Sequence, residues 1–157
     1  MTSLLLRNLL FTILQPGVVA GLIPYFLVRE QIKTTLAVPI QLYHWIGIAL
    51  IVSGALILLI CIFDFARHGK GTLSPADPTK KLVVKGFYRY SRNPVYLAVM
   101  LILLGETIFM KSLKLGIYMS FVLAAFLLFI ILFEEPRLYK TFGQDYAKYK
   151  ERVGRWL

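Results

Sequence analysis

Two clusters of polar and aromatic residues bracket a pair of apolar runs in the C-terminal half of the chain. The first is 86–96 (GFYRYSRNPVY); the second opens with Glu134-Glu135 and continues in 142–149 (FGQDYAKY). Ionisable side chains are costly against hydrocarbon, so a group of them at the ends of membrane-like segments points to a functional site. The clusters offer two carboxylates, Arg92, Asn93 and the phenols of Tyr88, Tyr90, Tyr96 and Tyr146. Carboxylates accept hydrogen bonds from hydroxyl and amino groups, and aromatic faces attract a positive centre such as a sulfonium. This chemistry suits a cationic, water-soluble cofactor that meets a membrane-embedded substrate. Each part also has a plainer use. Tyrosines at a membrane boundary form aromatic belts, and Lys and Arg mark topology. Glu134 and Glu135 fall at an expected helix C-terminus, where the dipole favours cations, and this argues for function.

The elements that must position these residues read as membrane helices. The chain has 157 residues, 58% of them hydrophobic, with a mean hydropathy of +0.69. The apolar residues lie in runs approaching the ~20 that a transmembrane helix needs. Four spans are expected, at about 4–28, 40–65, 94–110 and 115–133, with the last two joined by a tight turn at 111–114 into a helical hairpin. Gln15-Pro16-Gly17 predicts a kink or break in the first span; a cleaved signal peptide competes for that segment. Residues 67–92 contain Gly69, Gly71, Pro75 and Pro78 and read as a loop.

Fourteen of the eighteen Lys and Arg residues fall at the N-terminus, in that loop or in the C-terminal tail; Arg29, Lys33, Lys111 and Lys114 fall on the other side. The positive-inside rule then puts both termini and the loop in the cytosol. The formal charge of +10 is explained by topology and anionic lipid, and no nucleic-acid motif accompanies it. The single cysteine, Cys61, sits in an apolar run and offers neither a disulfide nor a metal site. The expected fold is all-α and integral to the membrane, one domain over 1–157, with two N-terminal helices in 1–66 and the loop, hairpin and tail in 67–157.

The order Gly-x-Tyr-x-x-x-Arg-Asn-Pro-x-Tyr, hairpin, Glu-Glu, Phe-Gly-x-x-Tyr-x-x-Tyr and Arg152-Val153 resembles the isoprenylcysteine carboxyl methyltransferase and phospholipid methyltransferase superfamily. The resemblance covers about 80–157. It implies S-adenosylmethionine bound at the cytosolic end of the hairpin, with no metal. By position it assigns cofactor contacts to Lys80, Lys81, Leu82, Val83, Tyr88, Asn93, Pro94, Val95, Tyr96, Glu134 and Glu135. Glu134 is the expected cofactor carboxylate, and Arg92 and Glu134 are the expected catalytic residues.

Two departures bear on the acceptor. Asn93 stands where eukaryotic members usually carry histidine, and an amide is no general base near neutral pH. Ile130 stands where the isoprenylcysteine enzymes place an arginine for the substrate carboxylate. The reading is therefore a membrane methyltransferase acting on a lipid-like or small apolar acceptor whose accepting atom stays open. A non-catalytic membrane scaffold or ligand-binding protein is the alternative, and a transporter without inverted repeats is disfavoured. Among the remaining polar groups, Glu106 reads as a boundary residue, and His44 and Trp45 as an interfacial belt. Asp64 is expected to pair with Arg67 or Arg92, or to orient a substrate amine.

Overall fold

The computed structural model describes residues 15–64 and 82–156, and every regular element among them is helical. Lys80, Lys81 and Arg67 lie outside the described residues. The first helix passes through 15–17 unbroken, with Gly17 at φ −65° and ψ −36°. The irregularity expected there falls one step later, as a π-helical turn at Val18–Leu22. The chain then continues as α1 (Ile23–Ala37), beyond the expected end at Val28. Arg29, Gln31, Lys33, Leu36 and Ala37 are good helix formers, so the helix leaves the apolar stretch without stopping.

Helix α2 spans Leu42–Asp64 and α3 spans Pro94–Met110, with proline in the first turn where its missing N–H costs nothing. Lys111 takes a left-handed conformation (φ 45°) at the turn into α4 (Leu113–Phe129). A π turn at Ile130–Glu134 joins α4 to α5 (Glu135–Phe142), so that Leu113–Phe142 is one helix of 30 residues. The apolar run ends at Phe133 but the helix does not. Glu134 and Glu135 therefore lie inside a helix, and the dipole argument for them is overturned. After Gly143, α6 (Gln144–Arg152) completes the tail.

Two helices, α2 with 23 residues and Leu113–Phe142 with 30, are long and apolar enough to cross a membrane. Only 22% and 11% of their apolar windows are buried inside the protein. A soluble core helix would be mostly buried, so these faces suit lipid. The 17 residues of α3 extend about 25 Å, short of the ~30 Å hydrocarbon core. Two of the four expected spans are thus helices of spanning length, and residues 4–14 of the first expected span lie outside the described residues.

Helices α2 and α3 pack antiparallel through glycines. A Cβ at Gly47 would sit 2.8 Å from the Gly105 carbonyl oxygen, and one at Gly54 would sit 2.7 Å from that of Ala98. The absent side chains let the two backbones touch, which suits a membrane, where small residues allow close helix packing. The entry turn of α1 covers the hairpin: Ala20 packs with Val99, Leu103 and Val122, and Tyr118 Oη donates to the Val19 carbonyl at 2.9 Å.

At the hairpin's closed end, Lys111 Nζ lies 3.7 Å from the centre of the Tyr43 ring. His44 is buried rather than interfacial: its Nδ1 accepts from the Gln41 N–H at 3.0 Å and its ring meets Phe109 edge-on. Trp45, at 60% exposure, does fit a belt. Glu106 departs from the boundary expectation, since its Oε2 is buried with no hydrogen-bond partner.

Candidate functional site

The open end of the hairpin brings the two sequence clusters together. Leu82, Val83 and Val84 lead to a 3-10 turn at Gly86–Arg89, and Asn93 precedes the first turn of α3. Gly86 sits at φ 60°, and a Cβ there would collide with the Asp64 carboxylate. The glycine is needed twice, for the left-handed backbone and for the space the carboxylate occupies. The Asp64 carboxylate thus lies against the start of the motif rather than at Arg92.

Successive residues on a helix point about 100° apart, so the adjacent glutamates face different partners. Glu134 faces α3: Tyr96 Oη donates to its Oε2 at 2.8 Å, and Tyr96 stacks at an angle on Phe126. Glu134 Oε1 has no hydrogen-bond partner among the described residues. Glu135 faces the tail and is saturated. Its Oε1 accepts from Arg92 Nη1 at 3.1 Å and Arg155 Nε at 2.9 Å, while its Oε2 faces Arg155 Nη2 at 3.3 Å and Lys150 Nζ at 3.5 Å.

The Arg92 side chain is only 8% exposed and also donates to Tyr146 Oη at 3.1 Å, yet its buried Nε–H has no partner. A buried donor without a partner on a charged group is costly.

The remaining predicted residues divide between packing and tethering. Val83 and Tyr88 form a buried cluster with Cys61, with Val95 packed against it. Asn93 donates from Nδ2 to the Arg155 carbonyl at 3.0 Å, and its own N–H donates to Ser91 Oγ. Pro94 is buried at the start of α3, and Leu82 lines a groove beside α6. Tyr90, 67% exposed, stands apart from the Tyr88, Tyr96 and Tyr146 phenols.

The tail supplies residues that the sequence reading missed. Arg92 N–H donates to the Gly154 carbonyl at 3.0 Å, Ser91 Oγ donates to that of Arg155, and Tyr149 Oη donates to the Tyr88 carbonyl at 2.6 Å. The 146/149 spacing put both tyrosines on one face of a helix; nothing local marked Arg155, whose partner lies 20 residues away. Burial raises the Tyr146 phenol, against the opposing charge of Arg92, and burial likewise raises Tyr149. Burial first, then the neighbouring Cys61 and Glu134, hold the Tyr88 phenol well above its ordinary value. All three stay protonated at neutral pH.

The described chain is thus a helical membrane protein whose half-buried carboxylates and arginine collect with phenols at the mouth of a hairpin. The family model described as phospholipid methyltransferase matches residues 42–145, which span α2, the whole hairpin and the glutamate pair. The chain belongs to the phospholipid methyltransferase family, a group of integral-membrane methyltransferases acting on lipid-like substrates. No curated protein and no solved structure gives a significant match.

Proposed function

We propose that this protein transfers a methyl group from S-adenosylmethionine to a lipid-like acceptor at the membrane–cytosol boundary. The observation that carries the reading is the division of labour at the glutamate pair. Glu135 is consumed by Arg92, Arg155 and Lys150, whereas Glu134, held by Tyr96, keeps an oxygen free. The orphaned Nε–H of Arg92 is a matching donor for a carboxylate. A donor set of one open carboxylate, one buried guanidinium and aromatic faces fits an amino-acid sulfonium.

When bound, S-adenosylmethionine supplies a methyl group already activated by its sulfonium. The protein then has to bind, align and exclude water. Glu134 receives hydroxyl or amino donors of the cofactor. Tyr96 fixes the Glu134 rotamer, and the Tyr96 and Phe126 rings supply aromatic surface beside it. Arg92 orients a carboxylate of cofactor or substrate, with Glu135 and Tyr146 holding the guanidinium in place. The backbone around Asn93, Pro94 and Val95 completes the wall.

Among the described residues none near Glu134 is placed to act as a strong base, since Asn93 is an amide committed to the Arg155 carbonyl. A thiolate or carboxylate acceptor needs no base in the transfer step, and an ammonium must first lose its proton. The acceptor enters from the bilayer along the exposed apolar faces, which include Phe129 and Phe133. Four crossings, with α1 and α3 completing the set and both termini cytosolic, follow from the distribution of Lys and Arg.

Calorimetric titration of the detergent-purified full chain with S-adenosylhomocysteine tests the donor half. Methyl-labelled S-adenosylmethionine with a total membrane-lipid extract, read by mass spectrometry, tests the acceptor half. Saturable binding and a labelled lipid are expected. A folded sample that binds no S-adenosylhomocysteine at millimolar concentration overturns the enzyme assignment.

A further inference from the structure

A groove of about 800 Å³ lies beside the methyl-donor residues, between the segment at Leu82, Arg89 and one face of α6. Asp145, Lys148, Tyr149 and Arg152 follow one another at helical i, i+3, i+4 and i+7, so α6 turns all four toward it. Among the described residues its cations are Arg89, Lys148 and Arg152, against one acid, Asp145.

These three differ from the neighbouring cations of the tail. Arg92, Lys150 and Arg155 share a single carboxylate partner, Glu135. Among the described residues Arg89, Lys148 and Arg152 form no ion pair, and they are exposed to whatever enters the groove. Unpaired cations gathered in one concavity form an anion site, and arginine's fork matches phosphate oxygens in particular. Leu82 adds an apolar wall, and α6 is separated only by Gly143 from the 30-residue helix. An amphiphile with a phosphate at the boundary and carbon beyond it fits both surfaces.

The geometry points to an anionic lipid headgroup, bound through its phosphodiester by Arg89, Lys148 and Arg152. The site is separate from Glu134 and Tyr96, which do not line the groove, and it touches the donor region through Tyr149, the residue that hydrogen-bonds the Tyr88 carbonyl. It therefore does not depend on methyl transfer. A lipid seated here would hold the tail against the motif and anchor the hairpin mouth at the membrane surface.

The test uses the full chain in dodecyl maltoside and the combined variant Arg89→Gln, Lys148→Gln, Arg152→Gln. The probes are dihexanoyl-phosphatidylglycerol, uncharged dihexanoylglycerol and sn-glycerol 3-phosphate, with S-adenosylhomocysteine as a second readout. Phosphatidylglycerol should bind the native chain at least tenfold more tightly than it binds the variant, with dihexanoylglycerol and glycerol 3-phosphate weak on both. S-adenosylhomocysteine affinity should be the same on both proteins.

Equal phosphatidylglycerol affinity on the two proteins overturns the site. Glycerol 3-phosphate binding as tightly as the lipid overturns the lipid as occupant in favour of a soluble phosphate ester. Loss of S-adenosylhomocysteine binding by the folded variant assigns the groove to the methyl donor and also overturns the proposal. If the triple variant does not fold, Asp145→Asn carries the test in the opposite sense. Removing the acid should tighten phosphatidylglycerol binding two- to threefold, and an unchanged or weaker affinity counts against the site.

Discussion

Exchanging each member of the glutamate pair for glutamine separates their two roles. Arg92 and Glu135 form a largely buried pair, with side chains 8% and 12% exposed. Glu135→Gln leaves the Arg92 guanidinium without its counter-charge, and breaking a buried pair from one side costs about 3 kcal/mol at the low end of such cases. Arg155 and Lys150, 32% and 52% exposed, add little, because water screens pairs of that kind to below about 1 kcal/mol. At this chain length the loss corresponds to a fall of roughly 6 to 12 °C in the unfolding midpoint.

Glu134→Gln is a milder change to the fold. The carboxamide oxygen still accepts from Tyr96 Oη, and exchanging a charged for a neutral acceptor costs about 1 kcal/mol, or roughly 2 to 4 °C. Binding should run the other way. S-adenosylhomocysteine should weaken at least tenfold for Glu134→Gln, about 1.4 kcal/mol, and by less than about threefold for Glu135→Gln below its midpoint. Thermal unfolding in detergent and calorimetric titration read both quantities on the same preparations. The reasoning fails if Glu135→Gln keeps the native midpoint while abolishing binding, or if Glu134→Gln binds as the native chain does.

Three further outcomes follow from the packing. Gly105→Leu should destabilise the α2–α3 pair by at least about 2 kcal/mol, since even a Cβ there would sit 2.6 Å from the Gly47 carbonyl oxygen; a native unfolding midpoint would contradict that contact. Removing residues 154–157 deletes the carbonyls that bind Arg92 N–H, Ser91 and Asn93 together with the Arg155 side chain, so labelled-methyl transfer and the unfolding midpoint should both fall. The buried phenols of Tyr88, Tyr146 and Tyr149 hold their protons more tightly folded than unfolded. Their contribution is fully present below the unfolded phenol pKa of about 10 and is lost as pH rises beyond it, so denaturant midpoints should stay level from pH 7 to 9 and drop above 10.

Much of the scaffold was legible because membrane helices are written in long apolar runs and in proline and lysine punctuation. The run 94–110 matched α3 at both ends, and the second span was within two residues of α2 at its start and one at its end. What misled was the assumption that a helix ends where its apolar run ends. Backbone hydrogen bonding continues through Glu134 and Glu135 into α5 regardless of side-chain polarity, and the π turn before Pro136 accommodates a residue that cannot donate. His44 and Glu106 were misplaced for a related reason. Depth along a span says nothing about whether a side chain points at lipid or at a neighbouring helix.

The sequence by itself determined the set of groups available and the hairpin that brings them to one end, since both depend on residue type and spacing along a single chain. Only the tertiary structure decided which glutamate is free. Two adjacent carboxylates are equivalent on paper, but a turn of about 100° sends one to Tyr96 on α3 and the other to Arg92, Arg155 and Lys150. Three cations share one carboxylate while the other keeps an oxygen open, and that division exists only once the tail is folded against the motif.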